Sequence, residues 1–302
     1  MKEPNLQRRR LMHAWTEALL YLRSLVFYPV LYINWALFLI LGSWLLLAPR
    51  RWAMAGLAAH GRATVWLLRL ICGTRMEVRG REKLLDGPVI VAAKHQAAWD
   101  TFALIPLMRD PALVMKAELL SIPLYGRFCR KFELIPIQRE LGPAALRLML
   151  REARLRVAQG REIVIFPEGT RKNPGDPPDY KPGVAVLYQD LKIPVCPLAL
   201  NSGMFWPRHS ILRYPGTIVA EFLDPIPAGL PREEFMKRLQ SAIEAASTRL
   251  ADEAYAELAR QGHAPPAKRH LSDSPSGPVG NDAFYAAIGN KPNQSDQGIK
   301  SS

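Results

Sequence analysis

From Ser24 to Pro49 the chain reads SLVFYPVLYINWALFLILGSWLLLAP, with no charged position and many Leu, Trp and Tyr. Twenty-four such residues in a helix reach about 36 Å, enough for a hydrocarbon core of about 30 Å. The stretch lies too far from residue 1, and lacks the small-residue site, expected of a cleaved signal peptide. Arginines flank it on both sides, at Arg8, Arg9, Arg10 and Arg23 before and Arg50, Arg51, Arg62 and Arg69 after. This symmetry favours a hairpin over a single span, with 53–72 as its second arm. On that arm Arg62 and Arg69, seven apart, share one stripe of an otherwise apolar helix, as in an interfacial helix. Pro29, Asn34 and Gly42 leave room for a kinked segment that enters one leaflet and returns.

From Met76 onward short apolar runs alternate with helical periodicity. Strands are expected at 89–93, 113–116, 133–137, 162–166, 195–200 and 218–222. Helices are expected at 101–108, 143–158, 183–189 and 233–260. The second has a clear apolar face of Leu146, Met149, Leu150, Ala153 and Val157, and Gly160 ends it. Such alternation predicts an α/β domain whose largely parallel or mixed sheet is flanked by helices, behind an N-terminal membrane-embedded helical segment. The expected divisions are membrane-anchoring helices over 1–72, the α/β domain over 73–260 and a disordered tail over 261–302, rich in Pro, Gly, Ser and Asn.

With 302 residues, 49% of them hydrophobic, the chain has ample material for a core. Forty Lys and Arg against 27 Asp and Glu leave +13, which suits an anionic membrane surface, phosphorylated substrates or nucleic acid. Cys72, Cys129 and Cys196 are too few and too widely spaced for a disulfide framework or a zinc site.

The stretch VIVAAKHQAAWDTF sets His95 and Asp100 five positions apart. On one helix they would stand about 140° apart around the axis. His95 is therefore read into the turn leaving a buried strand, with Asp100 in the first turns of the next helix, folding back. A carboxylate bonded to one ring nitrogen fixes the tautomer and leaves the other nitrogen as a general base. A second loop, FPEGTRKNPG, follows another apolar run. Its Pro167 sets a turn and Gly169 lets the backbone approach a ligand, while Glu168 can accept from hydroxyls and Arg171 can grip a phosphate through its fork. Lys116 in LVMKAEL and Arg139 in FELIPIQRE also fall at or just past strand ends, where open α/β sheets bind ligands. Five charged groups obeying that rule point to a single site.

H-x4-D at His95 and Asp100, IPIQR ending in Arg139, FPEGTR from Phe166 to Arg171 and VCPLAL from Val195 to Leu200, in that order, resemble the four sequence blocks of the glycerolipid acyltransferases. The likeness is strongest to the bacterial 1-acylglycerol-3-phosphate acyltransferases and covers about residues 50–230. It implies that His95, oriented by Asp100, deprotonates a lysophospholipid hydroxyl as it attacks an acyl thioester. Arg139, Arg171 and Lys116 would hold the phosphate and Glu168 the glycerol region, with Gly169 and Thr170 of the same loop also binding substrate. Backbone N–H groups near Trp99 would form an oxyanion hole. The resemblance implies no metal and no cofactor beyond the co-substrate, acyl-CoA or an acyl-acyl carrier protein. The implied partners are membrane lipids and that donor, on the cytoplasmic face of the cytoplasmic membrane. The usual Asn before the His is Lys94 here, which is expected to put a charge beside His95, and Ala97 replaces a frequent Ser.

Other activities fit the residues less well. A lipid hydrolase would want a G-x-S-x-G elbow, which the chain lacks. Nucleic-acid binding would want aromatic and basic residues interleaved on strands, and none are. A non-catalytic membrane scaffold would have no use for the dyad.

Overall fold

Seven strands pair into one sheet in the order β1-β7-β6-β2-β5-β3-β4. The computed structural model describes residues 3–138 and 141–263, with side chains from residue 14 onward. The strands are β1 (Thr74–Arg79), β2 (Ile90–Ala93), β3 (Ala112–Lys116), β4 (Ile135–Ile137), β5 (Ile163–Ile165), β6 (Val195–Leu200) and β7 (Gly216–Phe222). Every neighbouring pair is parallel except β6 with β7. Parallel strands need helical crossovers that cover both faces, so their central members are apolar without interruption. The strands β2, β5 and β6 are accordingly buried at every position.

Six of these strands lie where the apolar runs predict them, within two residues at each end. The seventh, β1, was not anticipated. It reads TRMEVR, alternating charged with less polar residues, because it is an edge strand bonded only to β7. An edge strand covered on one face shows period two instead of a continuous run.

The helices are α1 (Glu3–Leu41), α2 (Arg50–Cys72), α3 (Asp100–Ala103), α4 (Tyr125–Lys131), α5 (Pro143–Ala158), α6 (Gly183–Leu191), α7 (Ser202–Phe205) and α8 (Arg232–Arg260). Two expectations need correction. The helix expected at 101–108 is the four residues of α3 followed by a 3-10 turn, Ile105–Leu107, since Pro106 has no N–H to continue an α ladder. The apolar segment is not one helix from Ser24 to Pro49 either. α1 starts upstream, passes through Pro29, and gives way at Gly42 to a 3-10 turn, Ser43–Leu46. A β-carbon at Gly42 would come within 2.3 Å of the Phe38 carbonyl oxygen, so the close turn there requires glycine.

α1 and α2 pack together as a helical hairpin. Asn34 Nδ2 donates to Thr64 Oγ1 at 3.0 Å, and the rings of Phe38 and His60 stack 4.4 Å apart. One stripe of α1, formed by Leu20, Ser24, Phe27 and Leu31, is buried, at the spacing a helix needs to present a single face. Phe27 and Leu31, with Leu68 and Cys72 of α2, join the core on the sheet face formed by Val91, Ala93, Val164, Leu198 and Ile218. The opposite face, with Ile90, Ala92, Ile163 and Ile165, is covered by α5, α6 and α8. The hairpin therefore shares a core with the α/β layer instead of standing apart from it. Most of α1 still points outward, with Trp15, Leu22, Leu25, Tyr32, Ile33, Ile40 and Leu41 exposed. Ala14–Leu41 is long and apolar enough to cross a membrane. The expected tail lies outside the described residues apart from Gln261, Gly262 and His263.

Candidate functional site

Strand periodicity sorts the residues of the first motif. Side chains alternate across a sheet, so Ile90, Ala92 and Lys94 face one side while Val91, Ala93 and His95 face the other. The sheet ladder continues past β2 through Lys94 N–H, which donates to Leu198 O at 2.8 Å. His95 thus leaves the sheet on the side of α1 and α3. Asp100, the first residue of α3, is fully buried and folds back to accept from His95 Nδ1 at 2.9 Å. The same oxygen, Oδ2, accepts the backbone N–H groups of Gln96 at 2.7 Å and Ala97 at 2.9 Å. A carboxylate can only accept, so Nδ1 carries the ring proton and Nε2 is the unprotonated nitrogen. The ring also stacks on Phe166, centroids 4.0 Å apart and planes 21° apart. Held by its edge and its face, the imidazole presents Nε2 with no bond to another described residue.

The second motif reaches His95 through β5. Register sets Ile90, Ile163 and Ala112 level across β2, β5 and β3. His95 lies five residues beyond Ile90, Glu168 five beyond Ile163, and Lys116 four beyond Ala112. All three leave the sheet at its carboxyl edge, where α/β sheets bind ligands. Gly169 takes φ +65°, and its N–H donates to Phe166 O at 2.9 Å, turning the loop tightly. Lys172 N–H donates to His95 O at 2.9 Å, joining the two motif loops directly. Thr170 and Arg171 are exposed, and Arg171 shares a cavity wall with Ala97 and Ala98 of the His95 loop. Lys116 sits at the same edge, exposed, on the strand beyond β5. Arg139 lies outside the described residues.

Glu168 is placed differently from the others. Its side chain is 1% exposed and pairs with Lys94 Nζ at 3.0 Å, turned away from His95. Lys94 Nζ also meets Glu244 of α8 at 2.8 Å, and Glu244 accepts from Tyr180 Oη at 2.9 Å. The expected charge beside His95 is therefore absent: β alternation sends the Lys94 ammonium to the opposite face, where two carboxylates neutralise it. This buried pair ties the end of β2 to the FPEGTR loop. Burial raises the Glu168 carboxyl above its ordinary value, outweighing the Lys94 ammonium. A carboxyl with a raised folded pKa binds its proton more tightly when folded, so its stabilising contribution is lost as pH rises from the ordinary carboxylate range through the folded pKa. Glu168→Gln keeps the hydrogen-bonding shape and is expected to gain stability relative to wild type as pH rises through that window. Urea denaturation between about pH 4 and pH 7 checks this. A constant difference between the two proteins would mean that Glu168 does not carry this shift.

Six of the N–H groups around Trp99, where the oxyanion hole is expected, are engaged within the loop and the first turn of α3. Those of Gln96 and Ala97 bond Asp100, and those from Asp100 to Ala103 bond carbonyls of the preceding turn. Among the described residues no group of three or more His, Cys, Asp or Glu comes together as metal ligands.

Several supporting residues were missed in the sequence. Gln96 is buried and accepts the N–H of Gly203 at 3.0 Å, anchoring the His95 loop to α7. Tyr180 and Glu244 carried no signal, since their place depends on α8 crossing back beneath the sheet along β6 and β7. The segment from Trp206 to Arg213 did carry one: it follows β6, whose carboxyl end lies at the same sheet edge, and the strand-end rule applied to VCPLALNSGMFWPR would have singled it out.

The Acyltransferase family model matches residues 75–201. A curated relative named 1-acyl-sn-glycerol-3-phosphate acyltransferase, from Pseudomonas aeruginosa, is 35% identical over 157 residues, 52% of this chain and 61% of that protein. Lysophospholipid acyltransferase LPCAT4 of Mus musculus is 34% identical over 131 residues, 42% of this chain and 24% of its own length. The chain thus spans less than two thirds of either relative. A crystal structure of the 1-acyl-sn-glycerophosphate (LPA) acyltransferase PlsC from Thermotoga maritima matches with a TM-score of 0.64 at 19% identity, covering 76% of this chain and 97% of that one, so the fold is shared.

Proposed function

We propose, from the premise that residues 75–201 are an acyltransferase-family domain, that the chain transfers an acyl group from a thioester to the sn-2 hydroxyl of 1-acylglycerol-3-phosphate, giving phosphatidic acid. The observation that carries this reading is the imidazole held by Asp100 and Phe166 with Nε2 open, one hydrogen bond away from a loop that bears Arg171. His95 Nε2 takes the hydroxyl proton as the oxygen attacks the thioester carbonyl. The tetrahedral intermediate then expels the thiolate, which recovers the proton from the imidazolium. Asp100 holds the ring and stabilises its charge meanwhile. No acyl-enzyme and no metal or cofactor takes part, and the thioester is a co-substrate on coenzyme A or acyl carrier protein. Arg171 binds the phosphate, helped by Lys116 and Arg139. Thr170 lies beside the glycerol, while Glu168 serves by holding the loop.

The outward face of α1 supports a membrane-surface location for this chemistry. Extracting a lipid into water costs about 0.8 kcal/mol per methylene, so a site at the bilayer surface gains by leaving the acyl chains in it. The α1–α2 hairpin, which presents Trp15, Leu25, Ile40 and Leu47, anchors the chain to the cytoplasmic face of the membrane. The +13 charge favours anionic headgroups and an acidic donor protein.

The test is to incubate the detergent-solubilised chain with labelled acyl donor and a panel of acceptors: 1-acylglycerol-3-phosphate, glycerol-3-phosphate, a lysophosphatidylcholine and a lyso-ornithine lipid. Acylation of the first at the highest kcat/KM is the expected result. Arg171→Ala should raise KM for that acceptor by about tenfold or more, the loss expected for one charge-assisted hydrogen bond. If wild type leaves 1-acylglycerol-3-phosphate untouched while acylating another acceptor, the substrate assignment is wrong.

A further inference from the structure

Between α1 and the segment following α7 lies a cavity of about 390 Å³. Its walls include Tyr28 and Trp35 of α1, Ala98 of the His95 loop, and the guanidinium-bearing residues Arg171, Arg208 and Arg213, with no carboxylate among the described lining residues. Arg171 belongs to the FPEGTR loop, whereas Arg208 and Arg213 lie outside every sequence block read above.

Arg213 is a buried cation, 4% exposed. Its fork is spent on the carbonyls of Ser210 and Leu212 and on Tyr28 Oη, and its plane lies 4.2 Å from the centroid of the Trp206 ring. No described Asp or Glu forms an ion pair with it, and its Nε–H is buried without an acceptor. Desolvation pushes the guanidinium down to about 10, still charged at neutral pH. Arg208 donates from one terminal nitrogen to Arg171 O at 2.8 Å, and its Nε–H is likewise buried without an acceptor. Buried charges are ordinarily paired, and buried donors are ordinarily satisfied. Three arginines around one cavity, with no carboxylate among its described lining residues, give it a positive field that an entering anion would neutralise.

We propose that this cavity binds a phosphate ester of a substrate, with Arg208 as a direct ligand beyond Arg171 and Arg213 as a fixed positive wall. This rests on the acyl-transfer reading, in which two substrates carry phosphate: the lysolipid at its 3-position and the thioester donor on its pantetheine arm. The aromatic walls fit the flexible chain that bears the phosphate in either case.

Steady-state kinetics with the full chain in detergent separates the two sources. Acceptors are 1-acylglycerol-3-phosphate and the phosphate-free 1-monoacylglycerol, and donors are acyl-CoA and the phosphate-free acyl-pantetheine. Arg208→Gln is expected to raise KM about tenfold or more for a phosphate-bearing substrate, to leave its phosphate-free analogue unaffected, and to be partly rescued by Arg208→Lys. A rise confined to the lysolipid assigns the cavity to the acceptor, and one confined to acyl-CoA assigns it to the donor. Equilibrium binding of dodecyl phosphate reads the cavity without turnover: wild type should bind it more tightly than dodecanol, and Arg208→Gln should lose that preference. Unchanged KM values in a folded Arg208→Gln, or equal affinity of wild type for dodecyl phosphate and dodecanol, overturns the proposal. Failure of wild type to acylate any acceptor while still preferring dodecyl phosphate would count against the activity and not against the cavity.

Discussion

His95→Ala is expected to lower kcat by about 10²- to 10⁴-fold with little change in KM for either substrate, because it removes the base and leaves the binding groups in place. The geometry sets this expectation. Nδ1 is committed to Asp100 and the ring face to Phe166, so Nε2 is the nitrogen that can take a proton. Asp100→Asn should follow with a smaller loss. An amide oxygen in the Oδ2 position still accepts from Gln96 and Ala97, but an amide nitrogen placed there would clash with both N–H groups. The loop is therefore expected to keep its shape while the imidazolium loses its countercharge. Single-turnover measurement of the acyl-transfer step at saturating donor and acceptor checks both variants. A His95→Ala protein that turns over at the wild-type rate would remove the imidazole from the mechanism altogether.

Arg161→Ala should cost about 3–5 kcal/mol of stability, because it truncates a fully buried side chain and takes the donor from several buried carbonyls. Arg161 is completely buried just ahead of β5. Its terminal nitrogen NH2 donates to the carbonyls of Pro111 and Phe132 at 3.1 and 3.0 Å, and Nε donates to Asp110 O at 3.2 Å. Its guanidinium also lies 3.4 Å from both the Asp110 and the Glu133 carboxylates. Asp110 in turn accepts from Arg50 at the start of α2, at 2.8 Å, so one guanidinium ties the loops before β3 and β4 to the helical hairpin. Desolvation pushes Arg161 down to about 10, which leaves it cationic at neutral pH. Without it, the carbonyls of Asp110, Pro111, Phe132 and Glu133 lose a buried donor, while the Asp110 and Glu133 carboxylates, each about a third exposed, keep Arg50. The group sits at the amino end of β5, opposite the sheet edge that carries His95, so kcat of the surviving folded protein should be unchanged. Chemical denaturation in detergent measures the loss, and a drop below about 1 kcal/mol would show that water or neighbouring side chains replace the guanidinium.

Much of the scaffold was readable from one-dimensional pattern. Buried parallel strands are short continuous apolar runs, and β2, β3, β4, β5, β6 and β7 were found that way, while β1 escaped because one-sided burial gives an edge strand a different signature. The site was legible where a residue's position in its strand determines where it emerges. His95, Lys116 and the FPEGTR loop all leave one edge of the sheet because their strands are parallel and in register. The roles of Lys94 and Glu168 were not legible. Both were expected to stand beside the reacting groups, and they meet each other on the far face, held by Glu244 from a helix about 150 residues later.

The amino-acid sequence by itself determined what depends on local chemistry and period: six of the seven strands and most helices, the uncharged apolar run of α1, the H-x4-D and FPEGTR loops, and an Asp100 that must fold back to reach His95. Only the tertiary structure decided what depends on which distant segments meet. It set the hairpin against the sheet through Phe27 and Leu31, stacked Phe166 on the imidazole, drew Lys94 into a buried pair, and gathered Arg171, Arg208 and Arg213 around one cavity. The reason is that side-chain direction along a strand repeats every two residues and can be counted, whereas the packing partner of a buried charge is set by crossovers whose ends lie tens to hundreds of residues apart.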